Sequence, residues 1–92
     1  MVNAVSKISY EQFQSAYGDR LRGRMRLTEN HLECLFYVLR GKKPKDIASI
    51  MHKSTRTVEG YIVILRAMMN CESCSTLIIR VLKMFPDLVA KI

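Results

Sequence analysis

Apolar residues recur every three or four positions along most of the chain, the pattern of helices with one buried face. Aromatic residues at helical spacing from Tyr10 to Tyr17 begin this pattern, and the capping-box spacing of Ser9 and Gln12 predicts a helix start. The helix is predicted to end at Gly18. No segment shows the strict alternation of a strand, so the pattern predicts an all-α protein.

A basic segment follows this first helix. Arg20–Arg26 contains four arginines in seven residues with a glycine at its centre. Such a segment is typical of a flexible basic arm or linker rather than a packed element. Residues 1–26 are therefore predicted to form a short N-terminal helix and an Arg-rich linker.

Two helices are predicted next, and each has its own boundary signals. Thr28 is a favourable N-cap for the first, whose apolar face ends before Gly41. Pro44 suits the first position of the second helix, because that position needs no amide proton. The polar triplet from His52 to Ser54 then predicts a tight turn, with Ser54 capping the helix that follows.

The two remaining helices complete a domain over residues 27–84. The third helix has an apolar stripe and is predicted to end at Asn70, which tolerates left-handed backbone. The stripe consists of Val58, Ile62, Leu65 and Met69. A last helix over Ser75–Lys83 ends before Pro86, and residues 85–92 are predicted to form a C-terminal tail.

Length, apolar pattern, cysteine content and charge limit the classes of function that fit this chain. Ninety-two residues allow one domain, and no membrane span or signal peptide is expected from the apolar pattern. Three cysteines without an export signal are expected to be reduced, as in a cytoplasm. A formal net charge of +7 points toward polyanionic partners.

Within the domain over residues 27–84, the second helix, which starts at Pro44, and the third, which Ser54 caps, have the spacing of a helix-turn-helix. Ala48 supplies the small residue where the helices cross, and Val58, ten positions later, is predicted to lock the third helix onto the second. His52 stands at the tight turn, and histidine is among the side chains enriched at positive φ. Helical hairpins with similar spacing occur in many small proteins, so this spacing alone is only moderately specific.

Several landmarks together resemble a known family. They run without a gap through Leu27-Thr28, Gly41, Lys45-Asp46-Ile47-Ala48, Ser54, Thr57-Val58 and Leu77. From Leu27 to Lys83, 57 of 92 residues, the chain resembles the DNA-binding domain of LuxR-type bacterial transcription regulators, the NarL/FixJ/GerE group. The resemblance implies a four-helix domain whose third helix enters the major groove of double-stranded DNA and whose fourth forms a homodimer interface.

The chain departs from the family pattern at several positions. His31 replaces a usual Glu, Glu59 a usual basic residue, and Tyr61 a usual His. Further departures are Met68-Met69 for Lys-Leu, Asn70-Cys71 for Gly-Val, and Cys74 for a frequent Arg. These changes are compatible with the core but alter the usual base recognition.

The outward face of the third helix carries the candidate base contacts. They are Arg56, Glu59, Gly60 and Val63. An arginine can pair with guanine, a glutamate can accept from cytosine, and a valine can touch a thymine methyl, whereas a glycine lets the backbone approach. Candidate phosphate contacts flank the helix starts and the turn. They are Thr28, Lys43, Lys45, Lys53, Ser54, Thr55 and Arg66.

Candidate residues for dimerisation lie on the last helix. The last helix has more apolar residues than one inward stripe needs, which leaves Ile79 and Leu82 as candidates for a second surface. The resemblance implies that this surface meets a second copy of the chain. The alternative is that the tail, with Phe85 and Leu88, folds back over these two residues. The Arg20–Arg26 segment is interpreted as a linker that gives incidental electrostatic help, with a DNA backbone or minor-groove contact as its alternative.

No enzymatic or metal chemistry is expected. Cys71 and Cys74 have CxxC spacing without a second ligand pair, so Cys71 is interpreted as a small buried hydrophobe. The residues indicate no cofactor, no metal and no small-molecule site. The alternative function is a protein-interaction module on the same scaffold, an antagonist of a regulator or an RNA polymerase contact, favoured by Glu59 and by the apolar Val63, Ile64 and Ala67.

Overall fold

A computed structural model describes residues 7–91, which are all-helical as predicted. Helix α1 has three consecutive parts, an α-helical turn at Tyr10–Phe13, a π-helical turn at Gln14–Gly18 and an α-helical part at Asp19–Met25. The other elements are α2 (Glu29–Leu39), α3 (Pro44–Met51), α4 (Thr55–Met68), α5 (Cys74–Met84) and a 3₁₀ turn (Pro86–Ala90). None of the helices in residues 7–91 has the length and apolar content needed to cross a bilayer.

The prediction that α1 ends at Gly18, with a flexible basic segment after it, was wrong. The backbone at Gly18 and at Asp19 is right-handed helical, and the helix continues to Met25. Leu21 and Met25 are buried in the core, so the segment between Arg20 and Arg26 is packed along one side. The burial of these two side chains outweighs the helix-weakening effect of Gly23 in its middle.

The π-helical turn explains how α1 keeps one apolar face. Its buried side chains are Phe13, Tyr17, Leu21 and Met25, which are spaced four positions apart. In an α-helix each step of four rotates the side chain by about 40°, so three steps would carry Met25 far from Phe13. A π-helical turn contains more residues than an α-helical one, and this difference offsets part of the rotation.

Apart from the end of α1, the predicted helix starts and stops are confirmed at the following caps. Ser9 Oγ accepts a hydrogen bond from the Gln12 amide at 3.2 Å, and Thr28 Oγ1 accepts from the His31 amide at 3.2 Å. Pro44 occupies the first turn of α3. Left-handed backbone occurs at the three predicted stops, with φ of 77° at Gly41, 56° at His52 and 54° at Asn70. Arg26, which ends α1 with φ of 52°, was not anticipated.

The C-terminal tail packs against α1 rather than lying free. Phe85 and Leu88 are buried, and the rings of Tyr17 and Phe85 lie 5.0 Å apart. Tyr17 OH donates to an Asp87 carboxylate oxygen at 2.6 Å, and Lys91 Nζ lies 3.3 Å from the same oxygen. We call residues 7–25 and 85–91 together the terminal lobe, because they join the two ends of the described chain on one side of α2.

Candidate nucleic-acid interface

The turn between α3 and α4 is built by local signals. His52 adopts left-handed backbone, and the Lys53 amide donates to the Ala48 carbonyl at 2.9 Å. Ser54 Oγ accepts from the Thr57 amide at 3.0 Å and caps α4. The three-residue turn predicted from sequence is therefore confirmed, and it fixes where α4 begins relative to α3.

The two helices pack through the residues that the sequence assigned to the core. Ala48 and Val58 are both buried, which confirms the roles predicted for the small residue and for the locking residue. The other buried members are Ile47, Met51, Ile62 and Leu65, and Met69 packs against them while half-buried. This packing leaves the opposite side of α4 facing outward.

The four candidate base contacts share that outward face. Arg56, Glu59 and Gly60 are exposed, and Val63 is 59% exposed. A Cβ added at Gly60 would meet no atom within 4 Å, so the fold itself does not require a glycine there. The face offers a guanidinium, a carboxylate, an open stretch of backbone and a branched apolar group within two helical turns.

The candidate phosphate contacts fall into two groups. Six are exposed at helix starts or beside the turn, namely Thr28, Lys43, Lys45, Lys53, Ser54 and Thr55. Arg66 differs because it is half-buried and its guanidinium donates to the Glu72 carbonyl in the turn before α5. Its Nε is buried and has no hydrogen-bond partner among residues 7–91. Arg66 thus already holds the α4–α5 turn.

Positive charge is concentrated around the helix-turn-helix. Residues 40–56 contain six basic residues and one acidic residue, Asp46, which gives five of the seven net positive charges of the chain. Five of the six are exposed, namely Lys42, Lys43, Lys45, Lys53 and Arg56. Arg40 is half-buried, with its guanidinium 5.6 Å from the centre of the Phe36 ring. The charge therefore lies where α3 and α4 begin.

Two departures from the family pattern contact each other. The rings of His31 and Tyr61 meet edge to face, with their centres 5.3 Å apart. His31 Nδ1 also accepts from the Thr28 amide at 3.4 Å, and burial lowers the pKa of His31. The sequence showed these replacements separately, and only the fold reveals that they form one contact between α2 and α4.

The two dimerisation candidates differ in exposure. Ile79 points outward from α5 and is 53% exposed, whereas Leu82 is half-buried. The Phe85 ring packs on Tyr17 of α1 and Leu88 is buried, whereas Ile79 is left uncovered by the tail.

The cysteines are free thiols within the packed helices. Cys34 and Cys71 are buried and Cys74 is half-buried, and burial raises the pKa of Cys34 to about 12. Burial of Cys71 agrees with its interpretation as a small hydrophobe. Across residues 7–91, no group of three or more His, Cys, Asp or Glu side chains is placed to hold a metal ion.

These features define a helix-turn-helix protein whose α4 has one outward-facing side and whose positive charge lies at the starts of α3 and α4. The profile of a family described as bacterial regulatory proteins, luxR family, matches residues 25–81, more than half of the chain. The chain therefore belongs to the luxR family of bacterial regulatory proteins, as its landmarks indicated. Comparison with curated proteins and with solved structures returned no match.

Proposed function

We propose that this protein regulates transcription by binding double-stranded DNA, with α4 in the major groove. The observation that carries the proposal is the coincidence of the basic stretch 40–56 with the exposed face of a capped helix-turn-helix. Lysines and arginines beside a protruding helix attract phosphates, and side chains on that helix reach base edges. Such a protein acts in the bacterial cytoplasm, at the nucleoid.

The outward face of α4 suits direct readout of bases. Arg56, near the start of the helix, can donate two hydrogen bonds to guanine O6 and N7. Glu59 accepts from cytosine N4 and is repelled by phosphates, so it favours one base at the cost of general affinity. Val63 contacts a thymine methyl, and Gly60 allows the helix backbone to approach the bases.

Phosphates would be held by the exposed lysines and hydroxyls around the turn. Lys43, Lys45 and Lys53 supply charge, and Thr28, Ser54 and Thr55 supply hydroxyls at the helix starts. Arg66 contributes less in our proposal, because its guanidinium already donates to the Glu72 carbonyl.

Binding is proposed to involve a homodimer joined through α5. Ile79 is a large apolar side chain left exposed, with Leu82 half-buried beside it on the same helix. Ile79→Glu together with Leu82→Glu should abolish cooperative binding to a duplex with two half-sites about 34 Å apart. Circular dichroism checks that the variant is folded, and cooperative binding by a folded variant would move the interface elsewhere.

A second candidate function is a protein-interaction module. Exposed apolar side chains on α4 favour it, because Val63, Ile64 and Met68 are each at least 40% exposed. In that function α4 contacts a protein such as RNA polymerase or another regulator, and Glu59 serves to repel DNA phosphates.

A salt titration of duplex binding separates the two functions. If the proposed phosphate contacts form, affinity for a random duplex should fall by roughly 10³-fold or more between 50 and 200 mM salt. Selection from random duplexes should then enrich one sequence. Arg56→Ala should weaken binding to it by about 1–3 kcal/mol and relax the preference at one base. Duplex binding without salt dependence, or none at all, would favour the protein-interaction module.

A further inference from the structure

A surface groove distinct from the helix-turn-helix lies between the terminal lobe and the end of α5. Its volume is about 330 Å³, and it is lined by Arg20, Arg24, Met84 and Phe85. All four residues lie outside the stretch that matches the luxR family, two before it and two after it. The groove is thus a feature that the two extensions build together at the end of α5.

One wall of the groove is a guanidinium held in place. The Arg20 guanidinium lies 4.8 Å from the centre of the Phe85 ring and 5.3 Å from that of Tyr17. Its Nη2 donates to the Ala16 carbonyl at 2.9 Å. An arginine ordered in this way loses little side-chain freedom when it binds an anion, and its remaining N–H groups have the fork geometry that fits a carboxylate or a phosphate.

The groove has positive charge without a matching acid. Arg20 and Arg24 are four positions apart on one helix, where like charges repel. Within residues 7–91 the ion pairs join Arg22 to Glu29 and Asp87 to Lys91, and neither includes these two arginines. An anion in the groove would relieve the repulsion, and Met84 and Phe85 would contact an apolar group attached to it.

The groove lies away from the proposed DNA surface. Helix α1 packs against the side of α2 that carries Phe36, with the Phe13 and Phe36 rings 5.2 Å apart. Helix α4 contacts α2 through His31 and Tyr61. His31 and Phe36 are about 140° apart around α2, so α1 and α4 lie on different sides of that helix.

We propose that this groove binds a small organic anion, a carboxylate or phosphate attached to an apolar group. Arg20 and Arg24 hold the anionic end, and Phe85 and Met84 contact the apolar end. The volume is at the lower limit of small-molecule sites, so the ligand is about the size of one substituted ring. The sequence alone indicates no such site, because its residues are sixty positions apart.

The test is an NMR titration of the full chain with four probes, namely phenylacetate, phenyl phosphate, inorganic phosphate and benzyl alcohol. The organic anions should shift the amide signals of Arg24 and Phe85 saturably, with Kd in the millimolar range or below. Phenylacetate binding tighter than phenyl phosphate identifies a carboxylate site, and the reverse order a phosphate site. Inorganic phosphate and benzyl alcohol should each bind more weakly, because each lacks one of the two interactions.

Variants locate the binding in the groove. Arg24→Gln should weaken binding of the preferred anion about tenfold, and Arg20→Lys should weaken it although the charge is kept, because the planar fork is lost. Arg80→Gln is the matched control, since it removes an exposed arginine of α5 that does not line the groove. It should leave the anion affinity unchanged.

Three results would overturn the proposal. The first is the absence of saturable shifts at Arg24 and Phe85 with either organic anion. The second is an equal loss of anion binding in Arg24→Gln and Arg80→Gln. The third is that Arg24→Gln lowers duplex affinity and its salt dependence while anion binding is absent, which would assign these arginines to the DNA backbone. Anion binding does not depend on the proposed DNA function. Experiments can therefore contradict either of these two proposals without contradicting the other.

Discussion

The helix-turn-helix of α3 and α4 and the terminal lobe are both helical, but they are specified in different ways. In the helix-turn-helix, each boundary depends on a residue within a few positions, such as Pro44, His52 or Ser54. In the terminal lobe, Tyr17 bonds to Asp87, seventy positions away, and the Ile8 amide donates to the Lys91 carbonyl at 2.9 Å. Local signals are readable from one sequence, whereas distant partners are not.

The two regions also differ in charge and surface. The helix-turn-helix leaves most of its basic side chains exposed around α4, which is suited to a polyanion. In the terminal lobe, Arg20 stacks on aromatic rings and Arg22 pairs with Glu29, so part of its positive charge serves packing. A high local density of arginines therefore does not by itself indicate a DNA contact.

The largest expected effect tests whether α1 is packed beyond Gly18. Leu21 is fully buried, so Leu21→Ala should lower the free energy of unfolding by about 2–5 kcal/mol. Arg24→Ala, on an exposed position of the same helix, should change it by less than about 0.5 kcal/mol. Denaturant unfolding measures both. If both variants changed the free energy of unfolding by equally small amounts, the segment after Gly18 would be a flexible linker, as its arginine-rich composition predicted.

The next effect tests the turn of the helix-turn-helix. His52→Val should cost about 1–2 kcal/mol of stability, because a β-branched residue is strained at φ of 56°. His52→Gly should be neutral or stabilising at the same position, since glycine adopts left-handed backbone freely. Thermal unfolding of the pair provides the comparison, and a Gly variant as unstable as the Val variant would contradict the turn geometry.

The smallest effect concerns the contact that closes the terminal lobe. The hydrogen bond from Tyr17 lowers the pKa of Asp87, with a further contribution from Lys91. The stability from this carboxylate is therefore present above the unfolded pKa of about 3.9 and is lost as the pH falls through the lower folded pKa. The Tm difference between wild type and Asp87→Asn should shrink in that acidic range. A difference that stays constant with pH would show that charge is not involved.

The same contrast between local and distant interactions explains which parts of the fold could be predicted from the sequence. The four helices after Leu27, the caps Thr28 and Ser54 and the left-handed residues Gly41, His52 and Asn70 were predictable, because each follows from local backbone chemistry. The Ser73 cap of α5 was not predicted. The continuation of α1 was not predictable, because Gly18 and the dense arginines indicated a break. Its helix is maintained by burial of Leu21 and Met25 in the shared hydrophobic core.

The candidate site was predictable in part. The outward residues of α4 follow from helical periodicity once Val58 and Ile62 are assigned to the core. The engagement of Arg66 with the Glu72 carbonyl and the contact between His31 and Tyr61 depend on how the helices turn and cross, which periodicity does not specify.

The most direct test of the account compares two triple variants that remove the same charge. One combines Lys43→Gln, Lys45→Gln and Lys53→Gln around the helix-turn-helix, and the other combines Lys7→Gln, Arg24→Gln and Arg80→Gln at exposed positions elsewhere. Duplex affinity is measured as a function of salt. The first variant should reduce the slope of log affinity against log salt by about 2–3 for each bound protomer, and the second should leave it unchanged. Equal reductions in both would contradict the claim that the helix-turn-helix is the DNA-binding surface.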